Sequence, residues 1–256
     1  MKTINPHRVT KNLIQFLRSS FQTAGFLRAV IAFSGGIDSS VSCALAVRAL
    51  GKYNVYPLLL PYGILNDQGV ADAKLVIQTL EIPKNNVSII NIQPLVDPIV
   101  ALDPLMDNIR RGNVMARVRM ILLYDHAKKH DALVVGTENK TEHLLGYFTR
   151  FGDEASDIEP IRNLYKTDVY ELARVLRLPD QVITKAPTAG LWEGQTDEGE
   201  FGFSYKEADA ILRMIVDEKK SIDEVVAKGY DHTTVGKVVK RMKENNFKHH
   251  LPIVPS

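Results

Sequence analysis

Between an apolar run, Ala29-Val30-Ile31-Ala32-Phe33, and an apolar-periodic stretch over Val41–Val47 stands the hexapeptide Ser34-Gly35-Gly36-Ile37-Asp38-Ser39. This order predicts a buried strand, a glycine turn and a helix. A helix N-terminus carries unpaired backbone N–H groups, and small residues before it let an anion approach the backbone closely. Ser34 and Ser39 add hydroxyls, so the turn reads as a cradle for a phosphate or pyrophosphate. The lysine of G-x-x-x-x-G-K-[ST] is missing and the spacing is not G-x-G-x-x-G, which excludes two other phosphate loops. Asp38 is the odd member, an anion where phosphates would sit. It either caps the helix or binds a magnesium ion that bridges to the phosphates.

The same alternation runs on along the chain. Further apolar runs at Asn54–Leu60, Val87–Ile92 and Ala132–Val135 are separated by helical patterns near Gln68–Glu81 and Asn113–Lys129. Strands alternating with helices give an α/β fold, a doubly wound parallel sheet flanked by helices. Pro57 counts against the second strand, because proline cannot donate to a sheet ladder. Before the first strand, Leu13, Phe16, Leu17 and Phe21 predict an amphipathic helix over 7–22 with its basic face outward. Asp97–Asp107 reads as a connection with short helical turns. Helical patterns at Lys140–Leu145, Lys166–Leu178, Ala208–Ile215 and Asp231–Asn246 follow the last strand and end the chain in a helical segment.

At 256 residues and 45% apolar content, the chain fits one domain spanning 1–256. Its net charge of +2 demands neither a nucleic-acid nor a membrane partner. The single cysteine, Cys43, falls in a core pattern and cannot form an internal disulfide. No signal peptide or membrane-spanning run is evident, so a reduced, cytoplasmic setting is expected.

Asp38 and Glu142 follow the carboxyl ends of the first and fourth strands. Ligands of open parallel sheets gather at that edge, where strand order reverses. The two acids could therefore share one magnesium ion; alternatively, Glu142 is an ordinary exposed helix glutamate. Lys166, ahead of Thr167-Asp168 at a helix start, reads either as a flanking charge or as a site residue. Arg117 shares a helix stripe with Asn113 and Tyr124 and could equally be a solvated arginine. Residues 147–165 lack periodicity and carry Tyr147-Phe148-Thr149-Arg150-Phe151, as expected of a functional loop. Ala186–Tyr205 has four glycines, four acids and the only tryptophan. It is expected to be a lid without regular structure, with Thr188 and Trp192 as contacts. His249 and His250 in the tail have no companion ligands at metal-binding spacing.

With these stretches in view, the chain resembles the ammonia-dependent NAD synthetases. SGGIDS is similar to the pyrophosphate loop of the wider N-type ATP pyrophosphatase superfamily, whose fold is adenine nucleotide alpha-hydrolase-like. GTENKTEHLLGYFTRFGD and PTAGLWEGQTDE-x-E-x-G-x-x-Y carry the narrower resemblance, which runs from the first helix to the tail. It implies a ligase that adenylates the nicotinate carboxylate of deamido-NAD with ATP, releasing pyrophosphate. Ammonia then displaces AMP. By resemblance, Ala32, Phe33, Ser34, Gly35, Gly36, Ile37, Asp38 and Ser39 bind ATP, as do Thr137, Lys166 and Thr188. Asp38 and Glu142 hold magnesium, and Asp38 and Lys166 carry the catalysis. Arg117 (in Ala116-Arg117-Val118-Arg119-Met120), Arg150, Asp157, Phe247 and Lys248 bind deamido-NAD.

Three residues depart from the family pattern. Arg150 stands where many relatives have lysine, Phe247 where a histidine commonly precedes the tail lysine, and Glu138 where a smaller or neutral residue is frequent. Glutamine-using relatives carry an amidase domain with a catalytic cysteine, for which this chain has no room. Free ammonia is therefore the expected nitrogen source, and a homodimer is implied. Two rival readings stay open. One is another adenylating enzyme of the superfamily, disfavoured by the near-neutral charge and the lack of a basic or zinc-binding appendage. The other is an ATP sensor without turnover, disfavoured by the presence of both Asp38 and Glu142.

Overall fold

The computed structural model describes residues 4–249. Helix α1 (Pro6–Ala24) starts with Asn5 as N-cap, its side chain accepting the Arg8 N–H, and stops at Gly25 in the left-handed region. Leu17 and Phe21 are buried and anchor it, each contributing about 1.5–3 kcal/mol by leaving water. Phe16, expected on the same apolar stripe, points outward and is 45% exposed.

Strands β1 (Arg28–Ala32), β2 (Val55–Leu59), β3 (Ser88–Ile89) and β4 (Ala132–Val134) form one parallel sheet in the order β3-β2-β1-β4. The chain winds outward from β1 to β3 and then returns to β1's other side, so strand order reverses between β1 and β4. Val30 faces one layer of helices while Ala29 and Ile31 face the other, as the period of two requires. On the first face lie α4 (Gln93–Val100) and α5 (Asn108–His130). On the second lie α1, α2 (Ile37–Leu50), α3 (Asp67–Thr79) and α7 (Lys166–Val175).

Pro57 does sit in β2, opposite Ile31. Leu59, two residues on and so on the same edge, gives its carbonyl to Ile90 on the β3 side. The proline nitrogen faces that edge too, where β3 pairs only from Leu58 onward. No ladder donor is lost. The third strand is shorter than its apolar run: only Ser88 and Ile89 pair, and Ile89 is 49% exposed at the sheet edge.

The remaining helices are α6 (Lys140–Leu145), α8 (Asp180–Thr184), α9 (Asp197–Phe201), α10 (Tyr205–Leu212), α11 (Ile222–Ala227) and α12 (His232–Asn245). Leu145, Tyr165, Phe201, Tyr205, Ile211 and Val238 share a core of their own beside the sheet. Helix α9 corrects the expectation that Ala186–Tyr205 holds no regular element. Thr196 caps it by accepting the Gly199 N–H, and Gly202 ends it at φ 69°. The tail beyond His249, including His250 and Pro252, lies outside the described residues.

Candidate active site

The turn after β1 is built for close approach. Gly35 has φ 78°, and a Cβ there would come within 2.1 Å of the Gly69 carbonyl oxygen on α3. Only glycine satisfies both constraints. Gly36 is the N-cap of α2, with no side chain to cover the helix start. The first-turn N–H groups of α2 thus lack a side-chain acceptor, as an anion site requires. Ser34 and Ser39 hydroxyls stand 3.1 Å apart across the turn.

Asp38 is not the helix cap, which corrects that alternative. It lies inside the first turn, with Oδ1 accepting from Asn139 Nδ2 at 2.9 Å. Its Oδ2 accepts from Lys166 Nζ. Lys166 also donates to Glu142 Oε1 at 3.2 Å. Lys166 is 2% exposed, so it is no flanking charge. Glu142 is likewise no free surface glutamate. One carboxylate oxygen closes a capping box with Asn139 at the start of α6, and the other faces Lys166.

The chain thus brings together, at the switch point, the acids that follow β1 and β4 and the lysine that opens α7. Burial pushes the Glu142 carboxyl up; the Lys166 charge opposes this and Asp38 adds to it. Burial alone would lower Lys166, yet the Asp38 and Glu142 carboxylates hold its ammonium well above the usual lysine range. Lys166 is therefore a fixed cation at working pH rather than a base.

Sequence reasoning assigned no role to Asp197 or Tyr205, although both stand in the quoted QTDE-x-E-x-G-x-x-Y motif. The Tyr205 hydroxyl lies 2.9 Å from Asp197 Oδ2 and 3.4 Å from Glu142 Oε1, and the Lys166 ammonium sits 4.9 Å from its ring centre. Asp197 Oδ1 accepts the Ala189 N–H, and its own N–H goes to the Pro187 carbonyl. Thr188, between those two anchors, donates to the Gln195 carbonyl at 2.7 Å and leaves its side chain exposed. Tyr147 closes the far side by donating to Glu200 at 2.8 Å. The lid is tied to the carboxylate–lysine cluster through Asp197 and Tyr205. Thr137 lies half-buried in the loop after β4, and Trp192 is half-buried in the lid.

Four of the five expected dinucleotide contacts share one neighbourhood. Arg117 Nε donates to the Arg150 carbonyl at 3.3 Å, and the Arg150 guanidinium lies 5.1 Å from the Phe247 ring centre. Lys248 Nζ donates to the Gly146 and Phe148 carbonyls at 2.6 and 2.9 Å. Asp157 stands apart from them. Its carboxylate accepts the Val134 N–H at 2.7 Å along the outer edge of β4, and it lines a cleft of about 530 Å³ beside Phe16 and Ser20 of α1. Another cleft, of about 480 Å³, lies between α1 and Arg48, and Lys166 lines neither.

Glu138, one of the departures from the family pattern, is 5% exposed, and its Oε2 is 2.9 Å from Arg162 Nη2. Burial pushes its carboxyl up to about 8, against the pull of Arg162. The folded state then holds a proton that the unfolded chain has released, so stability falls as pH rises from about 4.5 to about 8. Glu138→Gln removes that contribution. Urea unfolding at pH 5 and pH 8.5 is expected to show a smaller loss of stability in the variant than in the wild type. Equal losses would remove Glu138 as the cause.

This sheet order, with a glycine turn and an uncapped helix start after β1 and acids at the switch point, defines an α/β protein of the adenine nucleotide alpha-hydrolase-like class. Residues 9–252 match the NAD synthase family model, and the chain belongs to that family. It is 43% identical over 251 residues to the NH(3)-dependent NAD(+) synthetase of Fusobacterium nucleatum, covering 98% of this chain and 96% of the relative. The solved NH3-dependent NAD synthetase from Campylobacter jejuni, in complex with the nitrate ion, superposes with a TM-score of 0.83 at 31% identity. It covers 99% of this chain and 100% of that one. The NMN synthetase from Francisella tularensis superposes over the same shares with a TM-score of 0.87 at 33% identity.

Proposed function

We infer that the protein is a ligase that amidates deamido-NAD to NAD with ATP and free ammonia, releasing AMP and pyrophosphate. The observation that carries this reading is the match, over nearly the whole chain, to NH(3)-dependent NAD(+) synthetases. The Asp38–Lys166–Glu142 cluster supports it with a chemistry. A carboxylate is a poor electrophile for ammonia, and adenylation gives it a leaving group. In the proposal the turn Ala32–Ser39 receives the ATP phosphates on the uncapped N–H groups of α2, and Thr137, Lys166 and Thr188 complete the ATP site. Lys166 places a fixed positive charge where the departing pyrophosphate gathers negative charge. Ammonia then attacks the acyl carbon, AMP leaves, and the attacking nitrogen sheds a proton.

The residues present fit a magnesium ion. Asp38, Glu142 and the neighbouring Asp197 are three carboxyl groups around one ammonium, a hard-oxygen set. Among the described residues no group of three or more His, Cys, Asp or Glu is arranged to hold a metal alone. Asp38 and Glu142 would hold the ion together with substrate phosphates, as magnesium favours. When bound, it would stabilise charge on the leaving pyrophosphate.

Cys43 is wholly buried and burial pushes its thiol up to about 12, which disqualifies it as a nucleophile toward glutamine. Among the described residues no helix is long and apolar enough to cross a membrane. A cytoplasmic homodimer belongs to the same proposal, its dimer to be checked by light scattering.

The test supplies ATP, magnesium and ammonium with deamido-NAD and reads NAD. Ammonium is expected to support turnover and glutamine only weakly; equal rates with ammonia-free glutamine would overturn the choice of nitrogen donor. Nicotinate mononucleotide is the control substrate, because the F. tularensis relative is named for NMN. A higher kcat/KM on the mononucleotide would reassign the substrate.

The dinucleotide would lie on Arg117, Arg150, Phe247 and Lys248, the four that share one neighbourhood. Lys248 spends two of its donors on the Gly146 and Phe148 carbonyls, so it holds the tail against the loop that carries Arg150. Lys248→Met is expected to raise the KM for deamido-NAD about tenfold and that for ATP by less than about twofold, consistent with losing one or two charge-assisted hydrogen bonds. Equal changes in both constants would remove the tail from the dinucleotide site.

A further inference from the structure

Neither the lid nor the phosphate turn accounts for how Glu142 and Lys166, on separate helices, come to face one Asp38. Their helices start side by side. The Lys140 N–H, first in α6, donates to the Leu164 carbonyl at 2.7 Å just before α7. The Lys166 N–H, first in α7, donates to the Thr141 hydroxyl at 3.0 Å. Thr141 is wholly buried, and its hydroxyl donates its one hydrogen bond to Asp209 Oδ1 at 2.5 Å. The other oxygen of Asp209 accepts the Thr167 N–H at 2.7 Å.

Asp209 lies on α10 and is 2% exposed. A buried carboxylate at this point has one arrangement that satisfies everything: both oxygens accept, one from the hydroxyl and one from the α7 backbone. The Thr141 hydroxyl is likewise saturated in this direction only, as acceptor from Lys166 and donor to Asp209. A second tie holds the same end of α7, because Arg213, four residues beyond Asp209, donates to Asp168 at 2.6 Å.

We propose that Thr141 and Asp209 form a positioning clamp that fixes the start of α7 against the start of α6, and so sets Lys166 and Glu142 at the spacing the ATP site needs. This rests on the functional reading above, with Glu142 and Lys166 as its working residues. The clamp touches neither ATP nor the dinucleotide, and it acts through the placement of two other side chains. Thr141 is one residue before Glu142, and its hydroxyl sits on the backbone of Lys166. A shift at Thr141 therefore moves both members of the cluster relative to Asp38, and a misplacement of about 1 Å costs up to about a hundredfold in rate.

The experiment separates positioning from packing. Thr141→Val keeps the side-chain volume and removes the hydroxyl; Thr141→Ser keeps the hydroxyl and removes a buried methyl group. Kinetics are measured well below the melting temperature of each variant, together with calorimetric binding of magnesium ATP. Thr141→Val is expected to lose about 10- to 100-fold in kcat. Its KM for deamido-NAD should change by less than about twofold, and its binding of magnesium ATP should weaken severalfold. Thr141→Ser is expected to melt at a lower temperature, yet to keep kcat within about threefold of wild type. Asp209→Asn, which cannot accept on both sides, should follow Thr141→Val.

Activity following melting temperature, with Ser worse than Val, would overturn the clamp, as would a Thr141→Val kcat within about twofold of wild type. If the wild type binds magnesium ATP but makes no NAD, the functional reading fails. The calorimetric comparison of Thr141→Val with Thr141→Ser then decides the clamp by itself: a weakening confined to Val upholds it, and equal affinities overturn it.

Discussion

Lys166→Met is expected to give a folded protein whose turnover is lower by about a hundred- to a thousandfold, or roughly 2.7–4 kcal/mol of barrier, with KM for deamido-NAD little changed. Methionine has nearly the length and shape of lysine, so the packing against Tyr205 survives. What disappears is the ammonium between Asp38 and Glu142. Removing one partner of a buried pair usually costs about 3–5 kcal/mol of stability, because the other charge is left uncompensated. Here the penalty is expected at or below the lower end. Burial already pushes the Glu142 carboxyl up, so it takes on a proton readily once the opposing lysine charge is gone.

Lys166→Arg is the sharper companion. It restores the charge but brings a planar fork into a space shaped by Asp38, Glu142 and the Tyr205 ring. Partial recovery of stability without recovery of rate is therefore expected. Single-turnover measurement of AMP formation checks both variants. A Lys166→Met rate within about tenfold of wild type would show that the lysine only neutralises its neighbours.

The elements that the sequence disclosed are those whose cause is local. The turn at Ser34–Ser39 is written in consecutive residues, since Gly35 takes a positive φ and Gly36 opens a helix. The parallel, doubly wound sheet followed from alternating apolar runs, and its reversal between β1 and β4 placed Asp38 and Glu142 near one another. The role of Lys166 was not legible in the same way. It meets Asp38 across 128 positions of chain, and nothing in Tyr165-Lys166-Thr167 distinguishes a buried ammonium from an exposed one.

Short elements escaped for a different reason. Helices α8 and α9 have 5 residues each, too few for a 3.6-residue period to register. Asp197 was hidden inside one of them, among acids that all looked like solvated lid residues. Thr141 was passed over because a buried threonine in a helix start looks like packing until its two partners are seen. The opposite error occurred at β3, where six apolar-rich residues suggested a full strand. At the sheet edge only two of them find a partner.

Asp38→Asn tests the metal assignment most directly, because the structure removes the capping explanation. Gly36 caps α2, and the Asp38 carboxylate is committed instead to Asn139 and Lys166. Asparagine keeps an oxygen for Asn139 but turns an amide group, or no full charge, toward the ammonium. Lys166 retains Glu142, so the expected stability loss is modest, about 1–2 kcal/mol, which lowers the melting temperature by ~2–8 °C for a chain of this size. Turnover should fall far more, by about a hundredfold or above, or roughly 2.7 kcal/mol of barrier. If weaker ion binding is the cause, raising magnesium should recover part of the rate. Glu142→Gln should then behave alike. The double variant should lose less than the two single losses added, because both carboxylates act through one ion. Strict additivity of the two losses, with no response to magnesium, would mean that Asp38 and Glu142 do not share an ion. Near-normal turnover of Asp38→Asn would reduce the carboxylate to a partner that keeps Lys166 in place.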